Sequence, residues 1–183
     1  IEIPDYMGLS SNQWCAEFTI DIESFLATYV KNDTIKTLED IIRIGTTSEY
    51  SKMRLSEYSL SKGRWGDSKV ECLDVYNDLK SIAYREAIKT VMDSLNLDAI
   101  IYPTWNNKPS RIDDFVKGSI GNNSLEISPA TGQPSITVPM GFSEDNLPAG
   151  LQFLGRMYDE PTLIKLSYAY EQGTKYRKPP VLK

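Results

Sequence analysis

The longest helical pattern in the chain spans about residues 68–95. Apolar residues recur there at intervals of three and four, and neither glycine nor proline interrupts them. Asp67 or Ser68 stands where a helix cap is needed. The pattern predicts one long helix whose buried face contains Val70, Leu73, Tyr76, Leu79, Ala83, Ala87, Ile88, Val91, Met92 and Leu95.

Two shorter helices are predicted before this one. The first is marked by apolar residues at helical spacing, namely Phe18, Ile22, Phe25, Leu26 and Tyr29. Thr37 can cap the second, with Asp40 at its third position, and Gly45 can end it. Residues 1–17 show little periodicity and predict an irregular entry, whereas the polar residues 46–66 predict a connector with some helix.

After residue 96 the pattern changes to short apolar runs between turn residues. These runs predict strands at 97–102, 135–138 and 151–154. Pro103 ends the first strand and Pro139 the second, and the short polar link 143–148 predicts an antiparallel hairpin between the last two. A final helix is predicted to begin at residues 159–161 and to end at Gly173, with a buried face of Leu163, Leu166, Ala169 and Tyr170.

The order of these elements predicts a mixed α/β fold, with helices packed on a small mixed sheet that contains a C-terminal antiparallel hairpin. We expect a single domain over residues 1–183, with a helical and irregular segment at 1–66 and the remaining elements at 67–183. Three strands make a thin sheet with exposed edges. The pattern therefore predicts that the sheet continues in another segment or in a partner chain.

Composition narrows the function classes. The net charge is -5 and no large Lys/Arg cluster occurs, which argues against nucleic-acid binding. No apolar run approaches the roughly 20 residues of a membrane span. The chain contains no histidine, which excludes Ser-His-Asp and Cys-His catalysis and the common zinc sites. Because the chain begins with Ile1 rather than Met, we expect it to be processed or cut from a longer chain.

The cysteines and the glycosylation motifs leave the compartment open. Cys15 and Cys72 can form one disulfide or remain two apolar thiols, and their spacing does not decide between these alternatives. Asn32 and Asn122 begin N-x-[ST] sequons, which are common by chance. If used, they favour a secretory or vacuolar route.

A series of motifs in the second half of the chain resembles the C-terminal region of the amidase signature family. The motifs are D-A-I-I-Y-P-T at 98–104, P-A-T-G-Q-P-S-I-T-V-P-M-G-F at 129–142, L-P-A-G-L-Q-F-L-G at 147–155, E-P-T-L at 160–163 and A-Y-E-Q at 169–172. Their order makes the resemblance specific from about residue 97 to 180. It is looser over residues 16–95.

The resemblance implies a mixed sheet covered by helices and hydrolysis of C–N amide bonds. It implies a Ser–cis-Ser–Lys triad and an oxyanion hole of backbone N–H groups, without metal or cofactor. In the family both serines and the lysine lie in the N-terminal part, in and before a Gly/Ser-rich segment that this sequence does not contain. No triad residue can be carried onto the chain, which is therefore expected to be inactive by itself.

The resemblance also suggests a pocket wall. In the family, the loop before Gly132-Gln133-Pro134 and the following strand lie beside the substrate pocket. This suggests that a small amide or apolar ligand is contacted by Trp105, Asn122, Asn123, Ser128, Thr131 and Gln133. The alternative is that these loop residues satisfy their own backbone.

Other chemistry finds less support in the sequence. Ser59-Leu60-Ser61-Lys62 matches S-x-x-K, but the S-D-N and K-T-G triplets that accompany it are missing. Asp113-Asp114 has no calcium-loop spacing around it. Three hypotheses remain: a piece of an amidase completed by an N-terminal chain, a stand-alone ligand- or protein-binding protein, and a structural product. The surface left by a missing part predicts self-association.

Overall fold

The computed structural model describes residues 1–10, 18–31, 33–60, 73–111, 113 and 126–180. Contacts divide the chain into two units. The larger unit contains Ile1–Asn12 and Asp74–Lys183, and the smaller unit contains Gln13–Leu73. A single domain over residues 1–183 stays a prediction.

The smaller unit contains three helices in its described residues, which are α2 (Phe18–Tyr29), α3 (Leu38–Ile44) and α4 (Glu49–Leu60). The predicted cap of α3 is confirmed: Asp40 N donates to Thr37 Oγ1 at 3.2 Å, and the Asp40 carboxylate accepts from Thr37 N at 3.1 Å. Hydrogen bonds from Lys36 N, the Arg43 guanidinium and Thr37 N hold the pKa of Asp40 well below its usual range. Gly45 ends α3 as predicted, with a φ of 83°.

The larger unit contains the sheet. Its elements are α1 (Tyr6–Ser10), α5 (Leu79–Ser94), β1 (Ile100–Pro103), α6 (Ser128–Thr131), β2 (Ser135–Phe142), β3 (Pro148–Leu154) and α7 (Glu160–Thr174). The strands are antiparallel in the order β1-β3-β2. This confirms the α/β class and the C-terminal hairpin, and it makes β3 the central strand.

Both faces of β3 are buried, because each is covered by a helix. Leu154 packs with Ile88 and Met92 of α5. Leu151 and Phe153 point to the opposite face and pack with Leu163 of α7. The larger unit is thus a sheet between two helical layers. Full burial of one leucine or phenylalanine stabilises a fold by about 1.5–3 kcal/mol.

The helix predicted from about residue 68 begins later than expected, at Leu79. Residues 75–77 form a turn in which Asp74 Oδ1 accepts hydrogen bonds from Tyr76 N at 2.8 Å and Asn77 N at 3.1 Å. Asp78 then caps α5 through Ser81 N at 2.7 Å. Short polar side chains that bind nearby backbone compete with helix formation. Residues 73–78 are therefore not helical, although their apolar spacing matches that of a helix.

The buried face of α5 also differs from the predicted one. Its buried residues are Tyr84, Ile88, Val91 and Met92, whereas Leu79 is 80% exposed and Leu95 is 54% exposed. Within α5, burial begins at Tyr84. Residues 68–72 lie outside the described residues.

Strand β2 continues past Pro139, where the sequence predicted its end. The pairing with β3 shifts between Pro139 and Gly141, which marks a bulge. Proline is tolerated at a bulge and on an edge strand, because its missing N–H is not needed in the ladder. The irregular entry at residues 1–17 is also corrected in part, since Tyr6–Ser10 forms the short helix α1.

Gly150 lets two threonines meet across the sheet. Thr104 Oγ1 and Thr137 Oγ1 are 3.1 Å apart and share a hydrogen bond above Gly150. A Cβ at Gly150 would lie 2.8 Å from Thr104 Oγ1 and 2.8 Å from Thr137 Cγ2. Only glycine fits there without moving a neighbouring side chain.

Gly150→Ala is expected to destabilise the larger unit by about 1–3 kcal/mol, because the added methyl group must displace one of the two threonines. Denaturant unfolding measures the change. Gly173→Ala is the matched control: nothing lies within 4 Å of its Cβ position, and alanine favours the helix by about 0.5–1 kcal/mol. Equal stabilities of the two variants would contradict the steric argument.

Candidate functional site

The turn from α6 into β2 is organised by its own side chains. Ser128 Oγ donates to Gln133 O at 2.7 Å, and Gln133 N donates to Thr131 Oγ1 at 3.3 Å. Thr131 Oγ1 also donates to Ile127 O at 2.9 Å. Gly132 has a φ of 72°, a left-handed conformation that glycine adopts without strain. These bonds hold Gln133 just before β2.

Arg85 ties this turn to helix α5. Its Nη1 donates to Thr131 O at 2.7 Å and to Val75 O at 3.3 Å. Thr131 is fully buried, so its carbonyl has little access to water. A charged donor gives a stronger hydrogen bond to such a carbonyl than a neutral one. The position of the turn therefore depends on this guanidinium.

Gln133 presents an unusual polar atom. The side chain is only 3% exposed, and its Nε2 donates to Gly155 O at 2.8 Å. Its Oε1 is buried and has no hydrogen-bond partner among the described residues. Since Gly155 O can only accept, the amide nitrogen must face it, and the acceptor capacity of the oxygen is unused by the described residues.

A cavity of about 470 Å³ adjoins Gln133, and basic side chains predominate among its charged residues. Its lining consists of Tyr76, Arg85, Glu86, Lys89, Met92, Gln133, Arg156, Met157 and Tyr158. Arg156 donates to Asp93 Oδ1 at 2.6 Å and to Leu97 O at 3.0 Å, and Lys89 donates to Asp93 Oδ2 at 3.2 Å. The bonds from Arg156 and Lys89 lower the pKa of Asp93.

The predicted pocket residues separate into two groups. Gln133 lines the cavity, whereas Ser128 and Thr131 shape the turn behind it through backbone hydrogen bonds. Trp105 follows β1, is 45% exposed and does not belong to this lining. A ligand role for any of them stays a prediction. Asn32, Asn122, Asn123, Cys15 and Cys72 lie outside the described residues.

Sequence reasoning missed the basic residues of the cavity. Arg85 and Lys89 lie four positions apart on α5, beside the apolar stripe, and such residues are ordinarily solvated. Arg156 follows the last strand. Their spacing in the sequence carries no signal that connects them with Gln133.

A second cluster joins three tyrosines and a carboxylate. Tyr6 Oη donates to Glu126 Oε2 at 2.5 Å, and the rings of Tyr6 and Tyr84 meet edge to face with centroids 6.2 Å apart. The hydroxyls of Tyr84 and Tyr102 are buried without a hydrogen-bond partner among the described residues. Burial, and then the hydrogen bond to Glu126, raises the pKa of Tyr6 to about 12. Burial raises the pKa of Tyr102 to about 12 and that of Tyr84 further.

The described residues hold no group of three or more His, Cys, Asp or Glu that could bind a metal ion. Asp113 binds Arg111, whose Nε lies 2.9 Å from Oδ1. No helix in the described ranges has the length and apolar character needed to cross a membrane.

The amidase family model matches residues 5–164, and the chain belongs to this family. Its relatives include a glutamyl-tRNA(Gln) amidotransferase subunit from Methanosarcina acetivorans, 32% identical over 70% of this chain and 27% of the relative. The corresponding protein of Bacillus cereus is 30% identical over 80% of this chain and 31% of the relative. The chain thus spans about a third of the length of the curated relatives it matches.

Solved structures agree with this assignment. The native peptide amidase of Stenotrophomonas maltophilia superimposes with a TM-score of 0.65 at 25% identity, over 99% of this chain and 37% of that protein. A bacterial aryl acylamidase superimposes with a TM-score of 0.60 at 19% identity, over 95% of this chain and 35% of that protein. The second likeness shows the fold.

The tyrosine cluster predicts a loss of stability at alkaline pH. Tyr6 and Tyr102 ionise near pH 12 in the folded protein, against an ordinary value of 10. The unfolded chain loses these protons first, so the free energy of unfolding should fall as the pH rises from 10 to 12. Denaturant unfolding at several pH values measures this fall.

Tyr102→Phe should reduce that fall without lowering stability at neutral pH, because it removes a titrating group whose hydroxyl has no partner among the described residues. Tyr158→Phe serves as the control, since Tyr158 is 74% exposed. If the free energy of unfolding of Tyr102→Phe fell at alkaline pH as much as that of the unchanged chain, Tyr102 would not be a cause of the fall.

Proposed function

We propose that this chain is the C-terminal part of an amidase, a hydrolase of C–N amide bonds. In this proposal it supplies substrate-pocket wall and sheet strands to an N-terminal part and is not catalytic by itself. Family membership, coverage of about a third of each relative and the lack of an assignable triad residue support it. The chain also lacks histidine, so a His-based triad cannot replace the missing one.

The open edge of β1 is the observation that carries this proposal. Thr104 N donates to Gly150 O at 2.8 Å, which makes this pair a hydrogen-bonded one. Antiparallel pairs alternate, so Ile100 and Tyr102 also bond to β3, and the N–H and C=O of Ile101 point away from it. The Ile101 side chain is 58% exposed.

An edge of this kind pairs readily with a further strand. No described strand occupies the outer side of β1. The cavity of about 390 Å³ along this strand is lined mainly by apolar side chains, among them Ile3, Ile101 and Ile127. An added strand would form hydrogen bonds with the outward N–H and C=O of Ile101 and cover these side chains.

The second candidate function is ligand binding by the chain as a stand-alone, non-enzymatic protein. The cavity beside Gln133 favours it, because its lining combines basic, aromatic and thioether side chains. An assay of amide hydrolysis and the subunit composition of the native assembly distinguish the two functions.

The isolated chain is expected to release no ammonia from peptide amides above the buffer rate, because no triad residue is assigned to it. Amine-release assays measure this. Native mass spectrometry of assemblies from the source then identifies any second chain. A second chain with a Gly/Ser-rich segment supports the amidase proposal, whereas hydrolysis by this chain alone overturns its non-catalytic part.

The open edge predicts self-association of the isolated chain through β1. Ile101→Pro removes the outward N–H and should weaken association at least about fivefold, because each such hydrogen bond contributes about 0.5–1.5 kcal/mol and two copies each lose one. The β1–β3 ladder does not use this N–H, so the fold tolerates the proline.

Sedimentation equilibrium measures the association constant of each variant. Ile101→Val keeps the N–H and a similar apolar side chain, and it should associate like the unchanged chain. Equal association of the proline and valine variants would show that β1 is not the interface.

A further inference from the structure

The cavity beside Gln133 has more positive than negative charge. Its lining contains three cationic side chains, Arg85, Lys89 and Arg156, and one carboxylate, Glu86. Asp93 pairs with both Lys89 and Arg156 from outside the lining. One positive charge is left over even when both carboxylates are counted, so the cavity favours an anionic group.

Arg85 retains free hydrogen-bonding capacity. Both of its hydrogen bonds come from Nη1 and go to neutral carbonyls, those of Thr131 and Val75. Nε and Nη2 have no partner among the described residues. A guanidinium binds a carboxylate through such a pair of parallel N–H donors, in a geometry that a single-point cation does not offer.

Gln133 adds a hydrogen-bond acceptor to these donors. Its buried Oε1 accepts no hydrogen bond from the described residues, and its Nε2 is already engaged with Gly155 O. Since Gln133 belongs to the lining of the cavity, a bound molecule whose N–H or O–H reaches this oxygen would supply the missing hydrogen bond. The site therefore offers donors from the basic side chains and an acceptor from Gln133.

The remaining walls are apolar and adaptable. Met157 offers a flexible thioether side chain, with the fully buried Met92 behind the wall, and Tyr76 and Tyr158 offer aromatic rings. A volume of about 470 Å³ lies in the range of sites for small molecules. These walls suit a ligand with a modest apolar side chain.

We propose that this cavity binds a small molecule that carries both a carboxylate and an N–H group, of the amino-acid or acylamino-acid class. The carboxylate binds Arg85 with help from Lys89, and the N–H donates to Gln133 Oε1. The inference rests on the second candidate function, ligand binding, and names the chemistry of its ligand. An alkylammonium ion would meet Arg85 unfavourably, and inorganic phosphate would leave the apolar walls uncovered.

Three probes separate these contributions in isothermal titration calorimetry. N-acetyl-L-leucine carries both groups, N-acetyl-L-leucinamide lacks the charge, and the O-acetyl ester of leucic acid replaces the N–H by oxygen. N-acetyl-L-leucine should bind at least about tenfold more tightly than the neutral amide, since the charge-assisted bonds are lost. The ester should bind several-fold more weakly, since Gln133 Oε1 is again left without a donor.

A variant of Lys89 tests whether the preference for the charged probe arises in this cavity. Lys89→Gln should weaken binding of N-acetyl-L-leucine several-fold and leave binding of the neutral amide unchanged. Lys165→Gln is the matched control, because Lys165 is exposed on α7, on the other side of the sheet, and should have no effect.

The outcomes are distinguishable. Equal binding of the acid and the amide overturns the proposed ligand class and retains ligand binding. No binding of any probe overturns the inference and the second candidate function, while the amidase proposal stands on its own tests. A loss with Lys165→Gln as large as that with Lys89→Gln would place the anion elsewhere.

Discussion

Burial of β3 on both faces is the constraint on which the larger unit depends. Residues 151–154 are all buried, because alternate side chains lie on the two faces of the sheet, one under α5 and one under α7. Neither helix can leave without exposing leucine or phenylalanine. The strand also fixes the partners at its edges, since β1 and β2 both pair with it and not with each other.

The candidate cavity shares its supports with the core. Helix α5 buries Ile88 and Met92 against the sheet and, one turn before Ile88, offers Arg85 to the carbonyl of Thr131. The amide of Gln133 binds the carbonyl of Gly155, directly after β3. The polar wall is thus positioned by the same contacts that stabilise the fold, which gives it a rigid frame.

Local patterns predicted the local structure well. The capping box of Thr37 and Asp40, the hairpin and the three strands were all foreseen, because each depends on residues close together in sequence. The start of α5 was not, because Asp74 and Asp78 bind nearby backbone. Arg85 and Thr131 are separated by 46 positions, so their spacing in the sequence could not connect them. Of the residues that line the cavity, the sequence predicted Gln133 alone.

The larger unit is discontinuous along the chain, and this orders events during synthesis. Helix α1 packs against α5, and Tyr6 reaches Glu126 across 120 positions. The ribosome therefore delivers α1 long before its partners exist, with the whole of Gln13–Leu73 in between. Because a contact can form only when both of its partners have been synthesised, α1 cannot pack before α5 and Glu126 have emerged.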